Sequence, residues 1–214
     1  MTIQRKSGLA GWYQRLHAHL MEQGKRSYEP MVRDRKQALF GSLHGTILEI
    51  GPGAGPNLAY YPQDIRWIGV EPNPHMHPYL YAEAERHAIA VELRSGSAEH
   101  LPAEDASVDV VVSTLVLCSV GNVAQTLREV RRVLKPGGRF VFVEHVAAPR
   151  GSGLRTVQNL IQPLWTPLAD GCHPNRETWH DIEQAGFVDV RLEHFRLPTG
   201  PAGPHIAGTA LRGA

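Results

Sequence analysis

The feature that most constrains this chain is a glycine-rich loop at residues 47–55, which read ILEIGPGAG. An apolar run ends in an acid, and a short helix is predicted to begin at about Pro56. Glycine lets backbone approach a ligand closely, and N–H groups at a helix start can bind an anion. Glu71 ends the next strand candidate, where a carboxylate can accept hydrogen bonds from both hydroxyls of a ribose. This order predicts a nucleoside site rather than a plain tight turn, with glycines at Gly51, Gly53 and Gly55.

Apolar segments of strand length alternate with helical patterns along the rest of the chain. The strand candidates are residues 46–50, 66–70, 90–94, 108–113, 139–146, 188–195 and 205–211. Helices are predicted over 9–44, from Asn73, from Asn122 to Leu134, over 154–168 and over 178–185, with Pro163 and Pro167 expected to bend or break the fourth. We therefore expect an α/β fold, Rossmann-like and doubly wound, with a mostly parallel seven-stranded sheet and an antiparallel last strand.

The same pattern predicts one domain over residues 45–214, preceded by an N-terminal helical segment, residues 1–44, that could act as a lid. A formal charge of +1 gives no reason to expect a nucleic-acid partner. Two cysteines are too few to suggest a disulfide framework. No apolar stretch approaches the roughly 20 residues of a membrane span, so we expect a cytoplasmic protein without an integral membrane segment. The oligomeric state is left open.

The spacing of the loop distinguishes between nucleoside ligands. Dinucleotide sites have the spacing G-x-G-x-x-G, whereas this loop has G-x-G-x-G. Glu49 precedes it on the strand, and a carboxylate there would repel a pyrophosphate but not a cationic ligand. The loop therefore favours a nucleoside that carries an amine and a sulfonium, S-adenosylmethionine, over NAD.

These segments resemble the nucleotide-binding half of the class I S-adenosylmethionine-dependent methyltransferases. Further family landmarks follow in order: GVEP at 69–72, GSAEHLP at 96–102, VDVVVSTLVLCSV at 108–120 and REVRRVLKPGGRFVFVEHV at 128–146. The resemblance implies S-adenosylhomocysteine as the product. It also implies cofactor contacts at the glycine loop and at Glu49, Glu71, Pro72, Ser97, Ala98, Glu99, Thr114 and Leu115.

Less common pieces of the chain resemble one group of that family more closely. The sequences LVLCSV, EHVA, DGC at 170–172, RETW and PHIAG at 204–208 are similar to the methyltransferase-like thiol S-methyltransferases, which are animal enzymes anchored to internal membranes. The likeness implies methylation of small apolar thiols or hydrogen sulfide. The hydrophobic N-terminal anchor of that group is not found in this sequence, where mixed residues such as Trp12 and Arg15 stand instead.

The acceptor is expected at the carboxyl ends of strands 4 and 5, because ligands of open parallel sheets bind there. His145 is predicted to be the general base, since imidazole titrates near neutral pH; a ring that only ties strand 5 to a loop is equally consistent with the sequence. Asp170 is predicted to orient that histidine or to bind the acceptor, with a turn role as the alternative.

Three residues are predicted to contact the acceptor: Cys172, His205 and Trp165. The sequence is also consistent with other roles for them. Cys172 could be a half-buried thiol without a function, His205 a plain residue of an edge strand, and Trp165 part of an apolar stripe in the core. Cys118 lies in an apolar run and is predicted to be a core residue. No metal site is expected, because no HExxH motif or Cys/His cluster is visible. Two other functions stay open: an N- or O-methyltransferase acting on a small metabolite or phospholipid headgroup, and a non-catalytic S-adenosylmethionine-binding protein.

Overall fold

The computed structural model describes residues 9–214, without the side chains of residues 9, 10, 17, 20, 21 and 25. The strands are β1 Gly45–Ile50, β2 Ile65–Val70, β3 Val91–Leu93, β4 Val108–Thr114, β5 Leu134–His145, β6 Asp189–Arg196 and β7 Pro204–Leu211. The helices are α1 Leu9–Phe40, α2 His77–Arg86, α3 Val123–Val133, α4 Gly153–Leu168 and α5 Thr178–Gln184, with short 3-10 helices at Pro56–Tyr60 and Gly200–Ala202.

All seven strands form one sheet in the order β3-β2-β1-β4-β5-β7-β6. Every pairing from β3 to β5 is parallel, whereas β7 runs antiparallel to both β5 and β6. The predicted doubly wound, mostly parallel sheet with an antiparallel last strand is confirmed. The chain reverses its winding between β1 and β4, which makes the carboxyl ends of these two strands the place where a ligand is expected.

Each face of the sheet is covered by helices. Successive strand residues point to opposite faces, so Val111 packs with α3 and α5 while Val112 packs with α1 and α2. The near-continuous apolar sequence of β4 is thereby explained, since both sides of this central strand are buried.

Two predicted boundaries differ from the structure. α2 begins at His77 rather than at Asn73, because the Asn73 side chain accepts a hydrogen bond from the His75 N–H and its carbonyl accepts one from Met76, closing a turn instead of a helix. α3 ends at Val133, and Leu134 already pairs with Val108 as the first residue of β5.

The segment Lys135–Gly138 is therefore an interruption inside β5 and not a plain turn between two elements. Val108 pairs with Leu134, and the next paired residues are Val110 and Arg139, so the intervening residues bulge from the strand. Gly137 has a φ of 76°, a conformation that glycine adopts without strain.

α4 is not broken by its two prolines, since it continues from Gly153 to Leu168 through Pro163 and Pro167. Buried hydrogen bonds hold the first half of this helix in place: the Gln158 side chain accepts from the Ala148 N–H at 2.7 Å and donates to the Pro201 carbonyl at 2.8 Å. These tertiary contacts offset the loss of two helical N–H donors.

α1 contacts the loops at the carboxyl edge of the sheet. The Asn73 side chain, just after β2, donates to the Gln14 carbonyl at 3.1 Å. The Tyr13 hydroxyl donates to the Leu168 carbonyl at 3.3 Å, at the end of α4. The predicted helical segment is thus placed over the expected site, and its role as a lid stays a prediction. Residues 1–8 of that segment lie outside the described part of the chain.

Within residues 9–214, none of the helices combines the length and the apolar character that crossing a bilayer requires.

Candidate active site

The glycine loop has the backbone that its sequence predicts. Gly51, Gly53 and Gly55 have φ values of 57°, 56° and 77°, in the left-handed region that favours glycine. A Cβ atom at Gly51 would lie 2.8 Å from Cγ2 of Val116, so a side chain there would collide with the β4–α3 loop. Around Gly53 no heavy atom lies within 4 Å of the Cβ position, which leaves this backbone open to a ligand.

Glu71 connects β2 to this loop. Its Oε2 accepts from the Gly53 N–H at 2.9 Å and its Oε1 from the Asn73 N–H at 2.7 Å. Burial raises the pKa of Glu71, and these two N–H donors partly offset the rise. A carboxylate has about four acceptor sites, so two remain for the hydroxyls of a ribose. Pro72, the next residue, fixes the chain direction between Glu71 and Asn73.

Glu49 lies beneath the loop in a buried network and not on an open surface. Its carboxylate accepts hydrogen bonds from Tyr61, Trp67 and Asn57 at 2.8, 3.0 and 2.8 Å. Burial raises the pKa of Glu49, although these three donors and Lys36 oppose the rise. Contact between Glu49 and a cofactor stays a prediction, and its hydrogen bonds give it a supporting role for the loop.

The predicted cofactor residues after β3 lie where two loops are bonded to each other. Ser97 and Ala98 lie in the turn after β3, and Glu99 accepts hydrogen bonds from the N–H groups of Gly121 and Asn122 at 3.0 and 3.4 Å. Burial raises the pKa of Glu99, but the backbone donors outweigh it and the net shift is downward. The start of α3 is thereby fixed to the β3 loop.

The end of β4 carries the two remaining predicted cofactor residues. Thr114 Oγ1 accepts from Asn57 Nδ2 at 3.0 Å, which connects β4 to the network of Glu49. Leu115 has a φ of 58°, a strained conformation for a residue with a side chain, and its N–H is bonded to the Val143 carbonyl at 3.0 Å. Backbone strain of this kind is concentrated at functional sites.

On the other side of β4, the side chains of two cysteines and one histidine lie close together. His145 ends β5, and its Nδ1 lies 3.6 Å from Sγ of Cys172, which follows α4. Cys118 joins them from the β4–α3 loop, and one ligand atom from each of the three side chains lies within 4.8 Å of the others. We call these three residues the sulfur–imidazole cluster.

Cys118 is buried, as predicted for a core residue, but its thiol faces the cluster. No Cys/His motif is visible in the sequence because the cluster is assembled from three separate segments. The three cluster residues lie in the sequences LVLCSV, EHV and DGC. These segments are noticeable through the family resemblance and not through the spacing of their residues.

The cluster favours one thiolate. A hydrogen bond from Cys118 lowers the pKa of the Cys172 thiol well below its usual range, and His145 and Trp165 lower it further against the effect of burial. The same hydrogen bond and burial raise the pKa of the Cys118 thiol. Cys172 is therefore the better nucleophile and ligand of the two.

Glu144 and Arg176, which the sequence did not single out, hold the loop that carries Cys118. The buried Glu144 carboxylate accepts from Ser113 Oγ at 2.5 Å and from the Leu117 N–H at 3.1 Å. Burial raises the pKa of Glu144 to about 7 against these donors. Arg176 donates to the carbonyls of Leu117 and Val120 at 2.6 and 2.9 Å.

Among the described hydrogen bonds, the imidazole of His145 is bonded to Cys172 through Nδ1, and Asp170 is not its partner. Its backbone has a φ of 49°, its N–H is bonded to the Tyr13 hydroxyl at 3.1 Å, and its charge raises the pKa of Glu71. The turn at 170–171 carries the chain away from α4 and brings Cys172, not Asp170, to the imidazole. Both roles predicted for Asp170, orienting the histidine and binding the acceptor, stay predictions.

His205 and Trp165 flank the cluster. His205 is paired with His145 across β5 and β7, with ring centres 5.8 Å apart. Burial lowers the pKa of His205 to about 4, so this ring is neutral at physiological pH. Trp165 lies near Cys172, but its neighbours Leu164 and Leu168 are 73% and 76% exposed and do not belong to the core.

Comparison with known proteins agrees with this geometry. Residues 48–142, from β1 to β5, match the family model described as a methyltransferase domain. The match spans the glycine loop, Glu71 and Cys118, and it ends shortly before His145.

Similar proteins cover most of the chain. It is 41% identical over 197 residues to the thiol S-methyltransferase TMT1B of Rattus norvegicus, covering 90% of this chain and 80% of that protein. It is 39% identical over 199 residues to the human thiol S-methyltransferase TMT1A, covering 86% and 81%.

Among solved structures, the YcgJ protein of Bacillus subtilis superposes with a TM-score of 0.66 over 87% of this chain and 99% of that one, at 18% identity. This likeness shows the fold alone. The sequence matches extend through the segments that form the sulfur–imidazole cluster. The chain is thus a methyltransferase and belongs to the family of the thiol S-methyltransferases TMT1A and TMT1B.

Proposed function

We propose that this enzyme transfers the methyl group of S-adenosylmethionine to the sulfur of a small thiol. The observation that carries the proposal is the sulfur–imidazole cluster at the carboxyl end of β5, which only β4 separates from β1 and its glycine loop. It places soft donor atoms and an imidazole where the acceptor of an open α/β sheet is expected.

The donor side binds the cofactor through backbone more than through side chains. The open backbone at Gly53 faces the amino-acid part of S-adenosylmethionine, and the two free acceptor sites of Glu71 take the ribose hydroxyls. Pro72, Ser97, Ala98 and Glu99 border the nucleoside, and Thr114 and Leu115 lie on the side of the reacting methyl group. Gly51 and Gly55 allow the turn, and Glu49 supports it from below.

Methyl transfer is a single displacement. The acceptor thiolate forms a bond to the methyl carbon while the bond from that carbon to the sulfonium breaks, and its electron pair stays on the sulfur of S-adenosylhomocysteine. Positive charge on the donor and negative charge on the acceptor disappear together, so a water-poor site favours the step. The cluster provides such surroundings, since Cys118 and His145 are both buried.

The acceptor must first lose the proton of its thiol, whose ordinary pKa is about 8.5. His145 is the residue that we propose promotes this loss, with Cys172 beside its Nδ1. Trp165 and His205 border the same space, and Asp170 lies at its rim. No covalent enzyme intermediate is required, because the sulfonium already activates the methyl group.

Turnover of a panel of thiols, amines and phenols, measured as formation of S-adenosylhomocysteine, tests the proposal. We expect product with alkyl or aryl thiols. Methylation of amines or phenols but of no thiol would instead support the N- or O-methyltransferase alternative. Cofactor binding with no product from any acceptor would leave only the non-catalytic alternative.

A further inference from the structure

The sulfur–imidazole cluster has the composition of a catalytic zinc site. Two cysteines and one histidine from three different segments bring their ligand atoms within 4.8 Å of one another. Catalytic zinc ions are held by three such side chains and keep a fourth position open, whereas structural zinc ions are closed by four.

The distance between the ligand atoms of Cys172 and His145 also fits a zinc site. A tetrahedral zinc, with bonds of about 2.3 Å to sulfur and about 2.0 Å to nitrogen, separates the two ligand atoms by about 3.5 Å. The distance from Cys172 Sγ to His145 Nδ1 is 3.6 Å. An ion at this position needs little movement of either side chain.

We propose that Cys118, His145 and Cys172 bind one thiophilic divalent cation, Zn²⁺ or an ion of the same preference, and that its open position takes the sulfur of the acceptor. The binding of the cation stands on the cluster alone, whereas the place of the acceptor rests on the proposed function.

The charges in the cluster support a divalent ion. Two thiolates cancel its charge, so the loaded site adds no net charge to a buried region. Arg176 and Glu144 lie close to both thiols and offset one another. Binding of the ion releases the protons of the two thiols.

With the cation in place, the acceptor replaces a bound water and loses its proton to solvent as it coordinates. The metal-bound thiolate forms the new bond to the methyl carbon, and the donor leaves as S-adenosylhomocysteine. The product thioether is uncharged and a weak ligand, so water replaces it. In this scheme the cation makes the bound thiol more acidic, and His145 acts by holding the cation and not by accepting the proton.

Cobalt is the probe for the metal, because Co²⁺ has the same ligand preference as zinc and is coloured. The full chain is reduced, freed of metal with a chelator and titrated with Co²⁺ without oxygen. We expect a thiolate-to-cobalt charge-transfer band that saturates at about one equivalent. An alkanethiol added without cofactor should shift the visible cobalt bands.

The variants Cys118→Ser and Cys172→Ser should weaken or lose the thiolate band, and His145→Gln should bind Co²⁺ more weakly. Calorimetry with S-adenosylhomocysteine should show that each variant still folds and binds cofactor. His180→Gln is the matched control, since His180 is an exposed histidine of α5. No stoichiometric band, or an unchanged band in Cys172→Ser, would overturn the metal site.

Activity then separates the two proposals. We expect the metal-free enzyme to lose thiol methylation at least 100-fold and to recover it with about one equivalent of Zn²⁺. Full activity without metal overturns the catalytic part of the inference and leaves the proposed function intact. A loaded cluster in an enzyme that methylates only amines overturns the proposed function and the place of the acceptor, but not the metal site.

Discussion

The two halves of the carboxyl edge are built in different ways. On the donor side, one loop of nine residues and one acid bring backbone N–H groups and a carboxylate together, and the glycines are required by their φ values. On the acceptor side, single side chains arrive from the β4–α3 loop, the end of β5 and the segment after α4. The donor half depends on local backbone conformation, and the acceptor half depends on the whole topology of the sheet.

Because the two halves are built separately, a substitution in one half should impair that half and leave the function of the other intact. Among the substitutions considered, His145→Gln should have the largest effect on the rate of methylation. Loss of the imidazole should lower the rate of thiol methylation by about 100-fold or more, the usual range for a group that assists proton removal. Affinity for S-adenosylhomocysteine, measured by titration calorimetry, should stay within about twofold. An equal loss of cofactor affinity would show that the halves are not separate. His44→Gln, at an exposed site, serves as the control.

Glu49→Ala tests whether this acid supports the donor loop or binds the cofactor. Three buried donors, Tyr61, Trp67 and Asn57, would lose their acceptor, which should cost about 3 kcal/mol of unfolding free energy in urea. The folded fraction should bind S-adenosylhomocysteine nearly as well as the wild type. A variant of normal stability that binds no cofactor would make Glu49 a ligand instead.

Glu71→Ala tests whether this carboxylate binds the cofactor on the donor side. The variant should weaken cofactor binding by about 2 kcal/mol, the value for hydrogen bonds to a charged group. Glu85→Ala, at an exposed position of α2, should bind normally. Unchanged affinity in Glu71→Ala would mean that the ribose is held elsewhere.

The smallest effect is expected at Glu177, which stabilises the segment that carries Cys172. Hydrogen bonds from Arg150, together with Arg155, lower the pKa of Glu177 to about 2. Because the pKa is lower in the folded state than the ordinary value of about 4.3, its contribution is complete above about pH 4.3 and is lost as the pH falls toward 2.

The contribution of Glu177 should not exceed about 1 kcal/mol, since Arg150 is exposed to solvent. Urea unfolding at a series of pH values should show a shallower acid-side slope for Glu177→Gln. Identical slopes in the variant and the wild type would contradict the assignment.

The contrast between the halves also explains what the sequence could predict. The strand order follows from alternating patterns, and the glycine loop could be located because its residues are neighbours in the chain. Cys118 could not be recognised as part of a site, because an apolar run around a cysteine is typical of a core strand or loop. Its neighbours in space come from β5 and from beyond α4, and no local spacing encodes that meeting.

Smaller errors have the same origin. Asn73 was expected to start a helix, but its side chain closes a turn three residues before α2. Pro163 and Pro167 do not break α4, because buried hydrogen bonds of Gln158 help to hold it in one helix, and the predicted bend stays a prediction. Asp170 and Cys172 are two residues apart, and only the turn between them decides which one meets His145.

α1 has a consequence for how the two substrates influence each other. It is bonded to the donor side where Asn73 meets Gln14 and to the acceptor side where Tyr13 meets the end of α4. If α1 acts as the predicted lid, a shift that admits one ligand also loosens its contact with the other half. The two binding equilibria are then linked, and whatever factor the donor imposes on the affinity for the acceptor, the acceptor must impose on the affinity for the donor.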